Sequence, residues 1–237
     1  MKKPFIFNFA IVLMLGVVSL CLAGAELRPA DALHTGFVKR PLKFKVQHPY
    51  DLKKLEERYT YNKATDTHDL LVFGSDKPHL PPPHNTEPRT EIRILDDGYV
   101  PDSGLHMMDC DMFIVPGTAA CISQVFGTGP MCIINVDTNG TISNLGTHAV
   151  IAENMNNKWF NWTIIHDSSA TGSGAIKVYI DGKLVNAKIP ATRQKSFYFK
   201  IGVYSRKGST RNEIKVRNLQ YLIKPNTNTT PTKTSKP

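Results

Sequence analysis

A sandwich of two antiparallel β-sheets, of the jelly-roll kind, is the architecture this chain encodes, on three grounds. Short runs that alternate in polarity or are rich in β-branched residues recur from Leu42 onwards. Turn residues separate them, and Asn139-Gly140 and Asp181-Gly182 are two-residue hairpin signals. No stretch keeps a helical period over three turns; DLKKLEERY, Asp51 to Tyr59, is the single short helical candidate. Many short strands at this spacing indicate a sandwich rather than a layered α/β fold.

The first 25 residues are not part of that fold. MKK is a basic start, an apolar run follows, and Ala23 and Ala25 flank a small-residue cleavage site. This is the pattern of a secretory signal peptide over residues 1–25, whose loss lowers the formal net charge from +9 to +7. No second apolar run of spanning length follows, so no membrane association is expected after cleavage. Residues 26–41 read as a lead-in, 42–223 as the folded domain, and 224–237 as a disordered tail rich in Thr and Pro.

The strands follow in order. LKFKVQ, RYTYN and DLLVFG come first, and then a Pro-rich loop from Ser75 to Pro88 that carries His79 and His84. RTEIRI, DMFIV, CISQVFG and MCIINV precede the Asn139-Gly140 turn. WFNWTIIHD and AIKVYIDG lead to the Asp181-Gly182 turn, and FYFKIGVYS and EIKVRNLQYLI close the domain. Cys110, Cys121 and Cys132 remain after signal cleavage, which allows at most one intramolecular disulfide and does not select the pair. No CxxC or HxxxH spacing occurs, so no metal site and no cofactor are expected. In a secreted chain the sequons at Asn139, Asn161 and Asn228 are glycosylation candidates.

Three strands share a chemistry. Alternation puts Arg89, Glu91 and Arg93 on one face of RTEIRI, with Thr90 and Ile92 on the other. It puts Tyr198, Lys200, Gly202 and Tyr204 opposite Phe199, Ile201 and Val203. In CISQVFG it groups Ile122, Gln124 and Phe126 against Cys121, Ser123 and Val125. If these strands are neighbours, Arg89, Glu91, Arg93, Gln124, Phe126, Tyr198, Lys200 and Tyr204 form one basic groove with amide donors and phenols. Arginine offers a carboxylate a two-pronged donor, and Lys200 and Gln124 add more. Gly202 leaves room for another group to approach closely. A basic chain without interleaved stacking aromatics, and without a phosphate-binding loop, is not read as a nucleic-acid or nucleotide protein. Ser123 lacks a His/Asp partner pattern, and His166 ends a strand beside Asp167, a position more often structural than catalytic.

PRTEIRI, SQVFG and YFKIGVY resemble the three motif strands of the family 7 polysaccharide lyases, the alginate lyases with a concanavalin-like jelly roll. With DKPH, GYVP and KVYIDG in order, the chain is also similar to the plant citrate-binding relatives of that family, over about residues 35–222. With its signal peptide the chain is expected in the secretory pathway, in the extracellular space and cell wall or in the vacuole, and as a monomer. The resemblance implies that Arg89 or Arg93 and Gln124 serve a carboxylate, and that Tyr204, or less directly Tyr198, moves protons. Family 7 alginate lyases carry a histidine two residues after the glutamine, where this chain has Phe126, and phenylalanine cannot accept a proton. This departure favours a binding protein for citrate or a related carboxylate over an enzyme. A polyuronate lyase acting on an anionic oligosaccharide through Tyr204 is the second reading, and a structural cell-wall glycoprotein the third.

Overall fold

The computed structural model describes residues 28–94 and 98–226. Fifteen strands run in order: β1 (Val38–Arg40), β2 (Phe44–Gln47), β3 (Tyr59–Asn62), β4 (Thr67–Phe73), β5 (Arg89–Ile94), β6 (Leu105–Ile114), β7 (Ala120–Phe126), β8 (Pro130–Val136), β9 (Ile142–Asn144), β10 (Val150–Ala152), β11 (Trp159–Asp167), β12 (Gly172–Ile180), β13 (Lys183–Ala191), β14 (Tyr198–Ser205) and β15 (Arg211–Lys224). One sheet is ordered β13-β12-β11-β6-β15-β4-β3, with β1 pairing beside β15. The other is ordered β10-β9-β8-β7-β14-β5-β2. Every strand pairing is antiparallel. The architecture is therefore an all-β jelly-roll sandwich.

The core lies between the sheets. Leu70, Val72, Met108, Cys110, Met112, Trp162 and Ile164 come from the first sheet, and Ile92, Ile134, Phe199, Ile201 and Val203 from the second. Each large apolar side chain so buried contributes about 1.5–3 kcal/mol relative to exposure. Thr90 turns inward with Ile92, and its hydroxyl donates to Leu71 O across the sheets at 2.7 Å. Asp181 and Gly182 take φ of 48° and 71° between Ile180 and Lys183, the positive-φ pair a tight hairpin needs.

Several expectations are corrected. The DLKKLEERY segment holds only a 3-10 turn, Leu55–Glu57, too short to bury an apolar stripe. The lead-in contributes structure: a 3-10 turn spans Pro29–His34, and β1 joins the sheet. Cys110, Cys121 and Cys132 are all free and buried. Cys110 is on the first sheet; Cys121 pairs with Asn135 and Cys132 with Val125, so the last two lie offset along their ladder. The signal peptide, the end of the tail and Asn228 lie outside the described residues.

Candidate functional site: a cationic face on one sheet

β7, β14 and β5 are consecutive in the second sheet. Lys200 pairs with Gln124 on one side and Arg93 on the other. Tyr204 pairs with Arg89, Gly202 with Glu91, and Tyr198 with Phe126. All eight side chains expected on the groove share the sheet face opposite the core. The phase of β7 differs from simple alternation. Between Cys121 and Ser123 its register shifts against both neighbours, and Ile122 enters the core. This bulge returns Gln124 and Phe126 to the groove face. It also leaves Cys121 where Glu91 and Lys200 act on its thiol, which burial holds well above its ordinary pKa. Gly202 meets the bulge: its φ is 152°, and a Cβ there would lie 2.3 Å from Thr90 O. The close approach it permits is therefore that of the β5 backbone.

Glu91 is the centre of the face and only 1% exposed. Its Oε1 accepts from Gln124 Nε2 at 2.5 Å, and its Oε2 from Arg89 Nη1 at 3.2 Å and Lys200 Nζ at 3.4 Å. Lys200 is pushed below its usual pKa by burial; Glu91 opposes this and Arg89 adds to it. Each arginine lies on a tyrosine. The Arg89 guanidinium carbon is 3.9 Å from the Tyr204 ring centre, and that of Arg93 is 3.8 Å from the Tyr198 ring centre. Phe126 stacks near Tyr198 at 5.4 Å and receives the Lys200 ammonium at 4.9 Å. Two cations thus bind one carboxylate, and a third shares its sheet face. Arg93 has no carboxylate partner among the described residues. That surplus, beside phenols, is what an incoming carboxylate would meet.

The remaining residues sort clearly. Burial raises the Tyr198 pKa, with Arg93 opposing, so this phenol is a poor proton acceptor. Ser123 is buried and its hydroxyl donates to Lys200 O, a packing role. His166 is on the other sheet, fully buried and bonded to the Tyr99 hydroxyl at 2.9 Å. It takes no part in this face. Asn161 is 3% exposed, and its amide donates to Asp109 and to Cys110 O. A glycan has no access there in the folded domain, which corrects that sequon. Asn139 is exposed in its turn. Gln47 of β2 was missed by sequence reasoning: it pairs with Glu91, is buried, and its Oε1 has no partner. The alternation of Lys45 and Gln47 was the available signal. Among the described residues no group of three or more His, Cys, Asp or Glu is arranged to hold a metal ion.

This jelly roll, with cations, an amide and phenols on one sheet face, has the fold of the polysaccharide lyases. This chain belongs to the alginate lyase family, whose profile matches residues 41–223. Alginate lyase AlgAT5 from polysaccharide lyase family 7 is similar in structure, with TM-score 0.54 and 20% identity, over 83% of this chain and 98% of that one. Alginate lyase PA1167 from Pseudomonas aeruginosa gives 0.55 and 14%, over 75% and 96%. A family 7 alginate lyase, A1-II′, changed at one histidine and one tyrosine and in complex with the substrate GGMG, gives 0.54 and 15%, over 77% and 94%. At these identities the likeness speaks for the fold. No match is found among curated proteins.

Proposed function

We propose that the protein is a polyuronate lyase. A uronate carboxylate is neutralised by Arg93, Arg89 and Gln124, which makes the C5 proton acidic. Tyr204 protonates the glycosidic oxygen as it leaves. The observation that carries this reading is the juxtaposition of Tyr204, stacked under Arg89, with a cation that lacks a carboxylate partner on the same face. Membership of the alginate lyase family supports it over citrate binding. The basic, then apolar, N-terminus supports work in the secretory pathway.

Phe126 favours a second reading. It puts a phenyl ring where the family 7 lyases carry an imidazole, and it packs on Tyr198. A carboxylate ligand such as citrate would still be held after that change, without turnover. One experiment separates the two. The purified mature chain is incubated with alginate, glucuronan and pectate, and the absorbance of the unsaturated product is followed. In parallel, citrate is titrated by calorimetry. Product from any polymer supports the lyase. Citrate heat with no product from all three sinks it in favour of the binding protein.

A further inference from the structure

The proton acceptor absent at Phe126 has a counterpart in the loop that leads into β5. There, Tyr50 N–H donates to Pro78 O at 2.9 Å, and the ring Nδ1 of His79 lies 3.1 Å from His48 O. His48 directly follows Gln47, the register partner of Glu91. The imidazole is thereby tied to the end of the face where Arg89 pairs with Tyr204. A carbonyl only accepts, so Nδ1 carries the hydrogen and Nε2 keeps its lone pair. Nε2 has no hydrogen-bond partner among the described residues. The charged and titratable groups that act on the ring are Arg89 on β5, Lys200 on β14 and His48 beyond β2. Their charges oppose a positive charge on it, whereas the hydrogen bond to the His48 carbonyl favours one. Together with burial, the largest cause, the charges hold His79 below its ordinary pKa and therefore neutral.

We propose that His79 is the proton acceptor of this groove, in place of an imidazole at position 126. The inference rests on the lyase reading. In the step, His79 Nε2 takes the C5 proton, and the C5–H electron pair becomes the C4=C5 double bond. The C4–O bond breaks, and its electron pair leaves with the glycosidic oxygen, which takes the Tyr204 hydroxyl proton. Solvent then removes the proton from His79 and returns one to Tyr204, so no oxidant, reductant or added water is consumed. Neither residue need perform both transfers.

The test uses the full mature chain on whichever polyuronate it cleaves. His79→Ala should lower kcat by about 10²–10⁴-fold, the span of general acid–base catalysis, with KM changed less than about threefold. The acidic limb of the wild-type pH–rate profile should lie below the usual histidine range and vanish in the variant. Added imidazole should restore turnover to His79→Ala but not to Tyr204→Phe. Should His79→Ala fail to fold, His79→Gln, whose amide can still donate to His48 O, carries the same expectation. A cleaving wild type whose His79 variants keep full kcat overturns this role and leaves the lyase reading standing. A wild type that cleaves none of the polymers overturns the lyase reading and this role with it.

Discussion

Among the described residues two carboxylates are no more than 1% exposed, one on each sheet: Asp109 on β6 and Glu91 on β5. Both are held by an arginine and a side-chain amide. Asp109 Oδ1 accepts from Asn161 and from Thr163 at 2.8 Å, and Oδ2 from Arg28 at 2.5 Å. His34 stands at 3.3 Å. Arg28 precedes the Pro29–His34 turn and His34 ends it, so this segment is laid over the carboxylate. Asp31 and Asp111 also lie against Arg28, at 3.5 and 3.8 Å, so carboxylates outnumber the arginine here. Glu91 has the opposite surroundings. Its neighbours exceed it in charge, and tyrosines rather than a covering segment lie on the arginines. A buried carboxylate covered by a segment of the chain acts as a staple. One that gathers surplus cations suits a second carboxylate, as the proposed lyase requires.

The contrast breaks most sharply at Tyr204. Tyr204→Phe keeps the ring under Arg89 and removes only the hydroxyl. Turnover should fall by about 10²–10⁴-fold in the product-absorbance assay. Oligouronate affinity, read by calorimetry, should stay within about threefold, since the cations remain. Retained turnover would remove Tyr204 from the chemistry.

The staple should answer in stability instead. Asp109→Ala removes the buried acceptor that Arg28, Asn161 and Thr163 share and should cost about 3–5 kcal/mol in urea unfolding. The kcat of the folded fraction should not change. A loss below about 1 kcal/mol would mean that the N-terminal segment is not anchored through this residue.

Acid should act through two buried histidines. His166 is pushed down to about 4 and His106 to about 3, in each case chiefly by burial. The unfolded chain has ordinary histidines, so it binds more protons than the folded one once pH falls below about 6.5. Stability should therefore fall between about pH 6.5 and 4. The loss is on the order of 3 kcal/mol for His166 alone, at about 1.4 kcal/mol per pKa unit. A flat stability profile over that window would contradict the burial of these rings. His166→Phe should shrink the slope.

Arg93→Ala tests the surplus charge directly. It should weaken oligouronate binding by about 1.5–3 kcal/mol, the range for hydrogen bonds to charged groups. It should also flatten the dependence of binding on salt. Stability should change little, because no carboxylate among the described residues relies on Arg93. An unchanged affinity would move the ligand elsewhere.

The faces of β5 and β14 were legible from alternation alone, because both strands have one apolar side against the core and keep their phase where the site residues lie. β7 was only half legible. Its bulge at Ile122 adds a residue against β8 and leaves Cys121 on the Glu91 side, and period-two reading carries no signal for an inserted residue. β9, β10 and β1 were missed because three residues are too few to show a period. β13 was missed because KLVNAKIPA mixes polar residues and Pro190 into an edge strand, where proline is tolerated. The Asn161 sequon misled because a motif states residue types and not burial. The groove's chemistry could be read residue by residue. That Glu91 already engages Arg89, Lys200 and Gln124, and not Arg93, needed the register.

Phe126→His should have the smallest effect. By sequence alone this change restores the imidazole carried by the family 7 lyases and should raise elimination. The structure points to a weaker result. The ring at 126 stacks on Tyr198 and takes the Lys200 ammonium at 4.9 Å. Exchanging that contact is worth about 0.5–1 kcal/mol. With His79 accepting the proton, a second imidazole adds an alternative rather than a missing part, so kcat should change by less than about tenfold in the otherwise unaltered chain. In a His79→Ala background the same change should instead raise turnover well above that of the single variant. A large gain from Phe126→His alone would show that the groove lacks a working base as it stands. That result would return the balance to a carboxylate-binding protein built on a lyase frame.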